Sequence, residues 1–266
     1  MRKMVLLGVC FLSAAMASAQ PAKSAFDAFR DSVMKQQFVL RNFSGETKVH
    51  AQWNGTQFAL DTPRWHTFGV IQVHSVKRNG QEVRMECERH ALLRDSLDKL
   101  VPYDVVDTVE VTIDLQGGSP AQVLPELRDA IFYSSTSDAL AAVPEPLQRF
   151  VPAHVDKTEK NPAAVGMPSC DCNQGKTCAT SPIATYTAAP EYSEEGSKRK
   201  INGEVDSAFI VDETGHTHDL WITRPLGYGM DEKAAETVSG YVFKPATCHG
   251  KPVSAPMTAG INFQIF

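Results

Sequence analysis

The sequence predicts an α+β protein built from two units, and three observations carry that reading. Runs rich in Val, Ile, Phe and Thr alternate with Asn-Gly turn pairs between residues 37 and 92, which is the signature of strands joined by tight hairpins. A stretch from 153 to 189 is poor in large apolar residues and rich in Pro, Ala, Thr and Gly, so it cannot bury enough surface to fold alone and reads as a linker. Beyond it the pattern runs helix, strand, strand, helix, strand to the end of the chain. The composition, 42% hydrophobic and 21% charged over 266 residues, is that of an ordinary globular protein with room for two domains.

The first nineteen residues precede the folded units. Arg2 and Lys3 lead an apolar segment from Met4 to Met16, and Ala17-Ser18-Ala19 supplies a small-x-small cleavage site, which is the layout of a secretory signal. The expected mature chain starts at Gln20, is exported to the periplasm or beyond, and retains no membrane-spanning segment; an uncleaved signal would instead leave it anchored in the inner membrane. Cleavage removes two positive charges from a chain whose formal net charge is already −5. An acidic protein whose longest basic run is Lys198-Arg199-Lys200 offers no footprint for nucleic acid.

In the amino-terminal unit, residues 23–152, Phe26, Phe29, Val33 and Met34 recur at helical spacing. The segments QFVLRNF, KVHAQW, TQFAL, TFGVIQVHSV, EVRMECERHAL and DTVEVTIDLQGG read as strands of an antiparallel sheet. SPAQVLPELRDAIF reads as a helix with Ser119 as its cap and Pro120 in its first turn. The dense polar-aromatic spots here are RWHTF at 64–68 and CERH at 87–90; each is read as structural or surface, with the lining of a ligand groove, and so a ligand-binding role for this unit, as the alternative.

In the carboxy-terminal unit, residues 190–266, EYSEEGSKRK reads as a short helix, and INGEVDSAFIVDETGHTHDLWIT as a hairpin turning near Gly215. MDEKAAETVSGY reads as a helix with Asp231 at the N-cap and Met230, Ala234, Val238 and Tyr241 on one side. KPVSAPMTAGINFQIF reads as one closing strand with Val253, Met257, Ala259, Ile261, Phe263 and Ile265 on one face.

These residues resemble the TonB carboxy-terminal domain family. The resemblance rests on Pro190-Glu191-Tyr192, Gly203-Glu204-Val205, Gly215, Met230-Asp231 with Ala234, Tyr241-Val242-Phe243-Lys244-Pro245-Ala246, Gly250-Lys251-Pro252-Val253 and Phe263. Ser193, Ala235 and Tyr241 depart from the family's usual Pro, larger apolar residue and Trp. The resemblance implies two helices packed on a three-stranded antiparallel sheet, and no catalytic residues. It also implies a docking edge in the last strand, where an extended peptide adds as a further strand: Met257, Thr258, Ala259, Gly260, Ile261, Asn262, Phe263, Gln264 and Ile265. The implied partner is an envelope protein or peptide segment, in the family a segment of an outer-membrane transporter. The same edge offers a route to a homodimer. Transducers of the family have an uncleaved anchor and a long proline-rich spacer. A cleavable signal and a linker of this length match neither, so docking rather than force coupling is the expectation.

The cysteines present an alternative. Cys170, Cys172, Cys178 and Cys248, with His249 and the His216-x-His218 pair, are thiols and imidazoles of the kind that suit zinc or copper, which would make this a secreted metal- or redox-active protein. Cys-x-Cys with a third Cys six residues on departs from the spacing of structural zinc sites, and export favours disulfides. The expectation is no metal and no cofactor. Instead one linker cysteine bridges to Cys248, tying the linker to the turn before the last strand with a typical stabilisation of about 2–4 kcal/mol.

Overall fold

The structure, a computed structural model, describes residues 23–155, 170 and 179–265. The signal segment and Cys172 and Cys178 lie outside the described residues.

Helix α1 (Ala25–Val33) begins at Ser24, whose hydroxyl accepts the Asp27 N–H at 3.1 Å, and it buries Phe29 and Val33. Seven strands follow: β1 (Gln37–Phe38), β2 (Lys48–Trp53), β3 (Phe58–Leu60), β4 (His66–Thr67), β5 (Gly69–Asn79), β6 (Glu82–Arg94) and β7 (Leu100–Asp114). Six of them form a sheet in the order β1-β5-β6-β7-β2-β3. It is not purely antiparallel, because β2 runs parallel to β7 from Lys48↔Glu110 to Gln52↔Asp114. Hairpin turns fix direction only between consecutive strands. The docking of β2 against β7 is a long-range choice made by burial.

Helices α2 (Pro120–Ile131) and α3 (Thr136–Ala141) and a single 3-10 turn (Glu145–Leu147) follow. Phe29 and Val33 of α1 and Val123, Leu124, Leu127 and Ile131 of α2 pack on one face of the sheet against Val49, Ile71, Val83, Met85, Val111 and Ile113. Cys87 lies in this core, and burial pushes its thiol up to about 12, so it stays a protonated, inert side chain.

Residues 179–186, within the stretch whose composition reads as linker, form β8 (Ala179–Thr180) and β9 (Ile183–Tyr186). Then come α4 (Glu194–Lys198), β10 (Gly203–Val211), β11 (Thr217–Arg224), α5 (Met230–Ser239), β12 (Val242–Lys244), β13 (Ala246–Cys248), β14 (Lys251–Val253) and β15 (Ala255–Phe263). Gly215 turns the β10–β11 hairpin at φ +90°, and a Cβ there would collide with the Phe243 carbonyl oxygen. Gly215→Ala is expected to cost about 1–3 kcal/mol, read as a lowered urea midpoint at unchanged slope.

Three further expectations need correction. The carboxy-terminal sheet has four strands in the order β15-β10-β11-β4, because β4 crosses from the amino-terminal unit and pairs parallel with β11. The closing segment is two strands. Val253 belongs to β14, which pairs with β13, and the break falls at Ser254, whose hydroxyl donates to the Glu213 carboxylate at 2.9 Å. The N-cap of α5 is Gly229 in the left-handed region, not Asp231. Asp231 sits within the first turn and folds back to accept the N–H groups of Leu226 at 2.7 Å and Gly227 at 2.9 Å. It caps the loop that enters the helix, which serves the chain better because those amides are otherwise buried without a partner.

A second core joins the units: Phe43, Phe68, Leu147, Phe150 and Val151 pack with Ala208, Ile210 and Trp221 of the carboxy-terminal sheet. A third lies on the sheet's other face, where Met230, Ala234 and Val238 of α5 meet Val205, Phe209, Ile222, Ile261 and Phe263.

Candidate functional site

Strand β15 pairs with β10 residue for residue, from Ala255↔Val211 to Phe263↔Gly203. The buried Ser207 hydroxyl reinforces the ladder by donating to Ala259 O at 3.0 Å. Among the described residues no strand lies on the other side of β15, so half of its backbone groups have no sheet partner. Of the nine residues expected at a docking edge, Met257, Thr258, Ala259, Gly260, Ile261, Asn262 and Phe263 lie in β15. Gln264 and Ile265 lie beyond the strand, and the Ile265 N–H donates instead to the Asn202 side chain at 2.8 Å. The strand is held by one face: Ile261 and Phe263 are buried, with the Tyr192 ring edge-on to Phe263 at 5.4 Å. On the other face Gly260 and Asn262 are exposed.

The opposite edge of the same sheet is closed. β4 pairs His66 with Trp221 and Thr67 with Ile222, and the Thr67 hydroxyl donates to Ile222 O at 3.2 Å. The His66 ring stacks on Trp221 at 5.0 Å and directs Nδ1 at Leu220 O, 3.2 Å away. A carbonyl only accepts, so Nδ1 carries the proton; burial, the dominant cause, lowers the pKa of this imidazole. Trp65 lies beneath β4 in the α5 core, and it fits because residue 45 is glycine: a Cβ there would overlap the indole.

RWHTF and CERH, about twenty residues apart in sequence, therefore meet at one place. Trp65, Thr67, Arg89, Asp107 and Asp231 line an enclosed cavity of about 10 Å³ between the units, which is room for one water molecule. Arg89 is 5% exposed and donates to the carbonyls of Ser44 and Gly45, each at 2.7 Å, and of Glu46 at 2.9 Å. Asp107 stands opposite Arg89 on the neighbouring strand. Burial raises the carboxyl pKa of both Asp107 and Asp231, the latter to about 7, and the Arg89 charge opposes the rise in each. A second polar clamp closes the interface: Arg224 donates to the Asp206 carboxylate at 2.8 Å, to Val155 O at 2.9 Å and to His154 O at 2.6 Å. The Arg224 set holds residues 154 and 155 against the sheet, whereas the Arg89 hydrogen bonds stay within the amino-terminal unit and Arg89 faces Asp231 across the cavity. The sequence signal for them was a density of charged and aromatic residues inside predicted strands, which marks a buried polar contact but not its partner.

Of the cysteine candidates, Cys170 and Cys248 form a disulfide across 78 residues of sequence. Their sulfurs and an imidazole nitrogen of His249 lie within 4.8 Å of one another, yet the S–S bond leaves no thiolate to hold a metal ion. His216 and His218 are exposed beside the β10–β11 turn.

By architecture the carboxy-terminal part is a small mixed α/β module, a helix laid on one face of a sheet that keeps one edge unpaired. Residues 188–265 match the family described as Gram-negative bacterial TonB protein C-terminal, and this part of the chain is a TonB carboxy-terminal domain. The solution NMR structure of the Pseudomonas aeruginosa TonB carboxy-terminal domain is similar at 22% identity, over 32% of this chain and 86% of that one, with a TM-score of 0.28. No curated protein matches the chain.

Proposed function

We propose that this is a periplasmic protein-interaction module of the envelope transport machinery, and that it binds an extended segment of a partner along β15 by strand addition. The observation that carries the reading is the asymmetry of the carboxy-terminal sheet: β4 occupies one edge, and β15 presents the other. An unpaired edge gains main-chain hydrogen bonds from an added strand, and alternate side chains then set the selectivity. Membership of the TonB carboxy-terminal family supports an outer-membrane transporter as the source of that segment. The proposed role is docking, without catalysis. The amino-terminal unit serves as a mount that fixes the sheet and blocks its far edge. No helix among the described residues is long and apolar enough to cross a membrane.

The test is amide exchange by NMR, with peptides from the periplasm-facing segments of outer-membrane transporters added to the purified chain. Every second amide from Ala255 to Phe263 is expected to slow by an order of magnitude or more, because only the outward-facing N–H groups gain partners. Protection that skips β15, or that falls on all its amides alike, removes the proposal. Sedimentation of the same sample separates self-pairing through this edge, which would protect the same amides without any peptide and would depend on protein concentration.

A further inference from the structure

We propose that β9 is a releasable strap over the edge of β12, locked by the Cys170–Cys248 disulfide and freed when an exported dithiol reduces that bond. The strap is weak by itself. β9 pairs with β12 at three positions, Ile183↔Lys244, Ala184↔Phe243 and Tyr186↔Val242, with an irregularity between Val242 and Phe243. All four of its side chains are exposed, Ile183 and Tyr186 by 59% and 58%. One side-chain bond, from the Thr185 hydroxyl to Val242 O at 2.9 Å, adds to the ladder. A strand this short that buries nothing is marginal in water; β15, by contrast, has nine residues and a buried face.

What keeps β9 in place is that both its ends are pinned. On the carboxy-terminal side the chain runs into Tyr192, packed on Phe263, and Ser193, which caps α4 by accepting the Gly196 N–H at 2.9 Å. On the amino-terminal side β8 pairs Ala179 with Cys248 and Thr180 with Thr247, the two threonine hydroxyls lying 2.8 Å apart, and Cys170 is bonded to Cys248 itself. Ala179 and Pro182 are the buried residues of this end, both small. A segment fixed at two points cannot swing away. With one point released it can, and the outer backbone of Val242–Lys244 then becomes a second edge open to an extended chain.

The bond is placed for reduction. Cys170 and Cys248 are each only half-buried, and exposed His249 holds a ring nitrogen within 4.8 Å of both sulfurs. A thiolate of the dithiol attacks one cysteine sulfur, the S–S bond breaks, and a mixed disulfide forms. The departing thiolate takes a proton from solvent, which the nearby His249 ring is placed to relay. The second thiol of the reductant then displaces the remaining protein sulfur. The protein gains two electrons and two protons, and the dithiol leaves as a disulfide.

Amide exchange on the purified chain, oxidised and then reduced with dithiothreitol, tests the proposal. Reduction is expected to remove protection at least tenfold from Val242–Lys244 and residues 183–186 while β10, β11 and β15 keep theirs. The C170S/C248S double variant should match the reduced pattern under oxidising conditions, and His249→Gln should slow reduction several-fold without altering the oxidised pattern. A reduced protein whose β9 and β12 amides stay protected overturns the proposal. So does a loss of protection that spreads over β10 and β15, since the bridge would then be holding the whole domain.

Discussion

Trp221→Ala is expected to lower the unfolding free energy by about 3–5 kcal/mol, the range for emptying a large aromatic side chain from a core. The indole is 1% exposed and sits where the units meet, 5.0 Å from the rings of both Phe43 and His66. The loss should not be confined to the carboxy-terminal sheet. β4 pairs with β11 at this residue, so its removal loosens the strand that closes the far edge and the shared core beneath it. Urea denaturation followed by far-UV circular dichroism measures the loss. Trp221→Phe is the informative control: the indole Nε1 is buried with no protein partner, so phenylalanine forfeits volume but no hydrogen bond. A cost below about 1 kcal/mol for the alanine variant would mean that the units are not joined through this core.

The second large effect is on pH dependence, through the buried Arg89–Asp107–Asp231 cluster. Asp231 has a folded pKa of about 7 against an ordinary 3.8, raised first by burial. A raised carboxyl pKa means that the folded state binds more protons than the unfolded state between those two values. The contribution of Asp231 to stability is therefore largest below about pH 4 and is lost as pH rises to about 7. The full span is of the order of 4 kcal/mol as an upper limit, at about 1.4 kcal/mol per pKa unit. The groups facing Asp231 are Arg89, which favours its charge, and Asp107, which opposes it and is itself shifted upward by burial, so both carboxyls push in the same direction. Asp212 acts oppositely: hydrogen bonds from Thr214 and His216 lower it to about 2, and its contribution is lost as pH falls from 3.8 toward that value. Asp231→Asn isolates the first effect. The amide removes the titration and turns an N–H toward either Leu226 or Gly227, so it costs about 1–3 kcal/mol at low pH. The gap between wild type and variant should narrow as pH rises from 4 to 8. A constant gap would show that Asp231 does not take up a proton in this range.

Local signals carried much of this fold. Asn54-Gly55 and Asn79-Gly80 set two hairpins where they were expected, the α1 and α2 apolar spacings produced helices facing one core, and Gly215 turned the β10–β11 hairpin. The family resemblance located residues 190–266 because its motifs are turn and core positions, which recur at fixed spacing. Apart from Asp231, whose partners lie in the adjoining loop, the places where reading the sequence fell short involve a partner distant along the chain. Asp231 looks like an N-cap by position, but two amides in the preceding loop claimed its carboxylate. The parallel alignment of β2 with β7 leaves no local mark. Linker residues 179–186 have a composition too poor to fold alone, and they are strands only because β12 and β13 offer backbone to pair with.

The docking edge shows the same division. Alternation over the closing segment was enough to specify a strand with one buried face, since a period of two needs no knowledge of neighbours, though it ran that strand from Lys251 to the chain end where the structure has Ala255–Phe263. Whether that strand lies at an edge is a property of the whole sheet. It was decided by β10 taking one side of β15 and by His66–Thr67, nearly two hundred residues earlier in the sequence, closing the sheet at β11 instead. Propensity is written residue by residue; which backbone groups are left over after every strand has found its neighbour is settled only when the chain packs.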